Sequence, residues 1–251
     1  MVNVLISGAN GRMGKKVYEA CALSDKVTAI CGVDLVENLS NKDYPIYSNF
    51  DAVNEKIDVV IDFSAPTSLD GILAFASQNK CALVLCSTGY SESDIEKIKN
   101  ASKTLAIFRS ANMSLGVNVL IDVVKKAAKA LYGFDVEIIE KHHNQKVDSP
   151  SGTALMLADA VKSVQTDKHY IYGREGLVGK RDANEIGIHA IRGGNIVGEH
   201  DVIFAGNFET ITLSHQATDR SVFANGAVRA AEFISTKQNG LYDMTDVIND
   251  K

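Results

Sequence analysis

Apolar residues run together in short unbroken stretches through the first hundred positions, then begin to alternate with polar ones. VNVLIS (2–7) breaks at Gly8, an amphipathic stretch follows from about Arg12 to Leu23, and a second apolar run, VTAICGVD, comes next. DVVIDF (58–63) and CALVLC (81–86) repeat the pattern, each with a helix-like segment after it, and TLAIF (104–108) closes the series. Strands buried on both faces read as continuous apolar runs, and helices between them imply a parallel sheet. The first half is therefore expected to be a doubly wound α/β domain.

The second half has a different rhythm. A long amphipathic helix is predicted over SLGVNVLIDVVKKAAKALYG, followed by a strand in FDVEIIEKHH and a helix in SGTALMLADAVKSV with Ser151 as its N-cap. IGIHAIRGG, EHDVIFAGN and FETITLSHQA alternate apolar and polar residues, as strands do when one face is covered and one is open. FANGAVRAAEFIS reads as a last helix. A nucleotide-type domain followed by an α+β domain on a mixed or antiparallel sheet is the organisation this pattern predicts.

Composition narrows the function classes. The 251 residues can bury a sizeable core, and 45% hydrophobic with 23% charged is ordinary for a globular chain. A formal net charge of −5 argues against a nucleic-acid partner, which needs a basic surface. No apolar run approaches the roughly 20 residues that span a bilayer, so no membrane partner is expected. MVNVLISGANG lacks the basic start and long apolar stretch of a signal peptide. Cysteines 21, 31, 81 and 86 form no CxxC pair and read as reduced core residues, which suits a cytoplasmic location.

Two places carry candidate chemistry. After the first strand the chain reads SGANGRMGKK, with glycines at 8, 11 and 14. Glycine permits positive φ and lets backbone amides approach a pyrophosphate. A plain strand-to-helix turn would need glycine for geometry alone. The position at the first βα junction, and Asp34 closing the second strand 20 residues after Gly14, favour a dinucleotide site instead. The loops STGY and SANM follow the fourth and fifth strands, where small hydrogen-bonding residues fit a nicotinamide riboside or an ordinary loop equally well.

The second place is EKHHNQKVDSPSGTAL (140–155). Histidine exchanges protons near neutrality, and a nearby lysine holds an anion or supplies a proton. Adjacent histidines on a strand point to opposite faces, and no further ligands lie at metal-binding spacing, so no metal is expected. Pro150-Ser151-Gly152-Thr153 starts a helix, whose free amides and hydroxyls make an anion seat. With a dinucleotide domain upstream, the combination points to a reductase of a small acidic substrate.

These residues resemble the dihydrodipicolinate reductase family, and the resemblance covers nearly the whole chain. It rests on GANGRMG (8–14), DFSAP (62–66), STG (87–89), SANMSLGVN (110–118), EKHHNQKVDSPSGTA (140–154), IRGGNIVGEH (191–200) and FANGAVRAA (223–231). The motif H-H-x-x-K-x-D-x-P-S-G-T-A is highly specific. The resemblance implies a Rossmann-like domain over 1–113, completed by 223–251, and a substrate and oligomerisation domain over 114–222 that builds a homotetramer. It implies reduction of the cyclic product of the preceding synthase, in lysine and diaminopimelate synthesis, with NADH or NADPH. His142 is then the proton donor or acceptor and Lys146 the proton donor, while His143, Gly152 and Thr153, beside Ser151, meet the dicarboxylate. Gly8, Ala9, Asn10, Gly11, Arg12, Met13 and Asp34 would line the cofactor, with Cys86, Ser87, Thr88, Ser110, Ala111, Asn112 and Met113. Cys86 stands where the family usually has glycine, and Met113 where phenylalanine is common.

Asp34 can accept bonds from a free ribose 2′-hydroxyl, and its charge would repel a 2′-phosphate. Leu35, Val36 and Glu37 bring no compensating cation, although Arg12, Lys15 and Lys16 flank the glycine loop. Both cofactors are expected to work, with NADH preferred. Two rival readings are a reductase of another small acid or sugar sharing only the glycine loop, and a dinucleotide-sensing regulator without turnover. The central motif speaks against the first, and the joint presence of His142 and Lys146 against the second.

Overall fold

The computed structural model describes residues 1–38 and 43–250. The chain divides into two compact units, Met1–Leu115 with Arg220–Lys251 and Gly116–Asp219.

In the first unit the apolar runs become β1 (Val2–Ser7), β2 (Val27–Val33), β4 (Val59–Asp62), β5 (Ala82–Leu85) and β6 (Ala106–Arg109), with a two-residue edge strand β3 (Ile46–Tyr47) after β2. Helices α1 (Arg12–Ala22), α2 (Leu69–Asn79) and α3 (Glu92–Ala101) connect them. One face of the sheet buries Val4, Ile6, Val59 and Ile61 with Val17 and Cys21 of α1. The other buries Leu5, Val60, Leu83 and Ile107 with Ile72, Phe75 and Ile98 of α2 and α3. Both faces being covered is why these strands read as unbroken apolar runs.

The second unit takes up most of α4 (Leu115–Ala130), then β7 (Asp135–His142), α5 (Gly152–Lys162), β8 (His169–Tyr172), β9 (Glu185–Arg192), β10 (Gly198–Ala205) and β11 (Thr210–Ala217). Its sheet runs β11-β10-β7-β9-β8, antiparallel across β11-β10-β7 and parallel across β7-β9-β8, hence mixed. Val136, Ile138, Ile186, Val202 and Phe204 pack beneath Leu120 and Val124 of α4 and Leu157 and Val161 of α5. β7 alternates half-buried and buried residues along its whole length, the two-residue period of a strand with one covered face.

The chain then returns to the first unit through α6 (Ser221–Ile234), β12 (Gly240–Tyr242) and α7 (Met244–Asn249). Helix α6 is rich in alanine, and Ala224, Ala227 and Ala231 bury against the β1 face. β12 pairs with β6, giving an all-parallel seven-stranded order of β12-β6-β5-β4-β1-β2-β3. Because β1 leads outward to β2 and the chain then crosses to β4 on its other side, the order reverses at the β1/β4 boundary, where doubly wound sheets bind ligands.

Candidate active site

In the first unit, Gly8 follows β1 at φ +80°, and a Cβ there would stand 2.9 Å from the Phe63 carbonyl oxygen after β4. A Cβ on Gly14 would stand 2.2 Å from the Gly8 carbonyl oxygen. Only glycine at both positions lets α1 start this close to the sheet. Gly11 is the N-cap of α1, no side chain caps the helix, and its first turn carries no acidic residue. The turn is thus open to an anion such as a pyrophosphate.

Asp34 accepts the Asn10 N–H at 2.8 Å on Oδ2 and the Leu35 N–H at 2.7 Å on Oδ1. The Asn10 side chain donates to the Val36 carbonyl at 2.8 Å. The carboxylate is therefore held at the glycine loop, and each oxygen retains a lone pair for a ribose hydroxyl. Lys16 pairs with Glu19 at 3.0 Å, whereas Lys15 lines a cavity of about 450 Å³ beside Ala9 and Asn10.

The loops after β5 and β6 close around a second cavity of about 320 Å³. Met13, Cys86, Ser87, Thr88 and Ser110 through Met113 line it. So do Phe63, Ser64 and Phe223, which the sequence reading did not assign. Asp62, fully buried at the end of β4, accepts the Ser87 hydroxyl at 2.7 Å, the Ser64 hydroxyl and the Ser64 N–H. It ties the β4 and β5 loops together. Gly226 of α6 presses on the Met113 carbonyl so closely that a Cβ would come within 1.7 Å of it. Burial raises the pKa of the Cys86 thiol well above the usual value, so it lines the cavity as an uncharged group. Loop amides, small hydroxyls and an apolar pocket at the strand carboxyl ends fit a nicotinamide dinucleotide.

In the second unit, β7 carries Glu140 and His142 on its covered face. Glu140 is fully buried and accepts four hydrogen bonds. Arg192 at the end of β9 donates twice, at 2.8 and 2.7 Å, His142 Nδ1 lies at 2.6 Å, and the Ser151 N–H donates at 3.0 Å. Burial alone would raise the Glu140 pKa, but the bonds from Arg192, His142 and Ser151 outweigh it and hold the pKa below the ordinary value. Desolvation lowers the His142 pKa despite the carboxylate beside it. With Nδ1–H donated to Glu140, the neutral ring presents the lone pair of Nε2. Gly198 leaves that nitrogen room, since a Cβ there would sit 3.1 Å away.

Lys146 follows in a turn closed by its N–H donating to the His143 carbonyl, and its ammonium pairs with Asp148 at 2.8 Å. Ser151 caps α5 by accepting the Ala154 N–H, and its hydroxyl pairs with His200 Nε2 at 3.0 Å. Ser151 is 2% exposed, and its amide and hydroxyl are both engaged within the protein. Gly152 and Thr153 form the more open part of the helix start, where a Cβ on Gly152 would meet nothing within 4 Å. His143 is half-buried beside His142. The fold thus gathers His142, His143, Lys146 and the 151–153 turn in one unit, and the glycine loop, Asp34 and the 86–88 and 110–113 loops in the other.

Glu140, Arg192 and His200 were not assigned roles from sequence. All three lie in the quoted motifs, Glu140 at the start of EKHH, and Arg192 and His200 as the second and last residues of IRGGNIVGEH. Their pairing depends on β7, β9 and β10 being neighbours, which no local pattern states.

Residues 2–113 match the family model for the N-terminus of dihydrodipicolinate reductase, and residues 116–248 the model for its C-terminus. The chain is 50% identical to the 4-hydroxy-tetrahydrodipicolinate reductase of Caldanaerobacter subterraneus subsp. tengcongensis, covering 99% of this chain and 98% of that one. It is 49% identical to the enzyme of the same name from Clostridium tetani, with the same coverage. Among solved structures it is similar to a dipicolinate-bound dihydrodipicolinate reductase from Paenisporosarcina sp. TG-14, with a TM-score of 0.80, 23% identity and 97% of each chain covered.

Proposed function

The chain belongs to the dihydrodipicolinate reductase family, and from that premise we propose that it reduces 4-hydroxy-tetrahydrodipicolinate to tetrahydrodipicolinate in lysine and diaminopimelate synthesis. The observation that carries the proposal is the grouping of a buried, carboxylate-held histidine, a lysine and an open helix start within one unit of a pyridine-nucleotide fold.

The residues divide the work by chemistry. Gly8 to Met13 and Asp34 hold the dinucleotide's phosphates and ribose, and Cys86 to Thr88 with Ser110 to Met113 enclose its ring. Bound nicotinamide supplies a hydride. Gly152, Thr153 and His143 hold a substrate carboxylate through charge-assisted hydrogen bonds. The 4-hydroxyl leaves as water to give a conjugated imine, and hydride addition to that imine leaves an electron-rich carbon that must take a proton. Lys146 is the donor, and neutral His142 accepts or relays through Nε2.

Asp34 favours NADH, and Lys15 beside the loop keeps NADPH usable. A homotetramer is supported by the second sheet's other face, where Ile139 and Ile203 lie half-buried beside the Lys141–Glu199 ion pair. A cytoplasmic location is supported by four buried cysteines, none in a disulfide. Among the described residues no helix is long and apolar enough to cross a membrane.

The test is NADH and NADPH oxidation with freshly made synthase product, run beside other small acids and cyclic sugars. Turnover with the synthase product and not with the others is expected. Turnover only with one of the alternatives would refute the proposal.

A further inference from the structure

One guanidinium reaches the supports of both proton-handling side chains. Arg192 Nη1 and Nη2 grip the two oxygens of Glu140 at 2.8 and 2.7 Å, and Glu140 Oε2 lies 2.6 Å from His142 Nδ1. The same Nη2 donates to the Asp148 backbone carbonyl at 2.8 Å, and the Asp148 carboxylate holds the Lys146 ammonium at 2.8 Å. Neither His142 nor Lys146 touches Arg192 through a hydrogen bond of its own.

From this geometry we infer that Arg192 is a positioning residue that orients His142 through Glu140 and Lys146 through the Asp148 main chain. The inference rests on the proposed reaction for the meaning of those two side chains. Arginine suits the task because its planar fork meets both carboxylate oxygens and still has a donor to spare. Stability alone is a weak reason for such a pair, since a buried ion pair is often no better than apolar side chains of similar size. Its directional value is clear. Glu140 held by Arg192 and the Ser151 N–H must accept from His142, which fixes the imidazole tautomer with Nε2 unprotonated. Glu140 on β7, Arg192 on β9, His200 on β10 and Lys146 in the following turn are the charged or titratable groups around that ring.

Two variants separate the arms. Arg192→Lys keeps the charge and loses the fork, whereas Glu140→Gln removes the carboxylate that His142 faces and leaves the Arg192 Nη2 bond to the Asp148 carbonyl available. Each is compared with the wild type by ¹⁵N NMR of the His142 ring without substrate, by acylation of Lys146 followed in mass spectra, and by kcat and KM across pH. Arg192→Lys is expected to lose the ordered Nδ1–H tautomer, to acylate faster at Lys146 and to drop kcat on the order of 10²-fold with little change in substrate KM. Glu140→Gln is expected to alter the tautomer and lower kcat, with Lys146 acylation closer to the wild-type rate than in Arg192→Lys. If Arg192→Lys leaves the His142 spectrum and Lys146 labelling as in the wild type, the inference is overturned. It is equally overturned if only His142 responds, because Arg192 is then a partner of Glu140 alone. A wild type without turnover refutes the proposed reaction instead, and the spectra and labelling still decide whether Arg192 holds both side chains.

Discussion

At the scale of single residues, the proposed roles divide the site into groups that would perform chemistry and groups that hold them. On the proposed roles, Thr153→Ala and His143→Ala would each remove a hydrogen bond to a charged substrate, worth about 1.5–3 kcal/mol. Steady-state kinetics should show a raised substrate KM with kcat less affected, and an unchanged KM in both variants would remove the 151–153 turn as the carboxylate seat. His142 offers a pH test. Desolvation holds its pKa below the ordinary 6.5, which favours the neutral ring. The activity it supports should fall on the acid side with a midpoint below 6.5, and a midpoint above 6.5 would contradict the lowered pKa. Residue types alone drew attention to His142, His143 and Lys146 as candidates, because few structural needs gather two histidines and a lysine before Pro-Ser-Gly-Thr. Glu140 was not legible as a partner, since Arg192 stands 52 positions away and meets it only across paired strands. Ser151 was legible as an N-cap, but its second bond to His200 depends on the tertiary fold.

Among the elements, strands buried on both faces were readable and the short strands at the sheet edges were not. β1, β2, β4, β5 and β6 are buried on both sides and announce themselves as apolar runs. β3 and β12 are two and three residues long, too short for any period to register, and both take the sheet's edges. β8 at His169–Tyr172 is an edge strand of mixed exposure, so its alternation is weak. α7 was missed although a signal existed, because Asp243 and Asp246 form a capping box three residues apart. In the proposed reading, Asp34 after β2 sets the cofactor preference. Asn10 and Leu35 amides hold Asp34 there, and Leu35 is 95% exposed, so a longer basic side chain fits without repacking. Leu35→Arg should shift kcat/KM toward NADPH, whereas a clearly higher kcat/KM for NADPH in the unmodified protein would contradict the role given to Asp34.

For the molecule as a whole, stability should weaken in two acid windows that belong to the second unit. Burial, with His142 nearby, lowers the His200 pKa from 6.5 to about 4. Protonation then favours the unfolded chain, so stability is full above about pH 6.5 and declines as pH falls toward 4. Burial would raise the Glu137 pKa, yet hydrogen bonds from Arg174, His189 and Arg181 bring it down to about 2. Its contribution, roughly 3 kcal/mol, is present above about 4.5 and lost as pH falls toward 2. Denaturant midpoints measured across pH should fall through both windows, and Glu137→Gln should flatten the lower one. A wild-type midpoint that stays level from pH 6.5 to 4 would contradict the buried neutral state of His200. Assembly is a separate question at this scale: light scattering should return four copies, and Ile203→Asp on the open sheet face should reduce that number.

The central claim is that the first unit binds the dinucleotide while His142 and Lys146 of the second manage the proton. The most direct measurement is turnover of the His142→Ala, Lys146→Ala double variant with synthase product at saturating NADH, alongside NADH affinity in the same preparation. A rate lower by about 10²–10⁴-fold with NADH affinity unchanged is the predicted result. A double variant that keeps more than roughly a tenth of the wild-type rate contradicts the assignment.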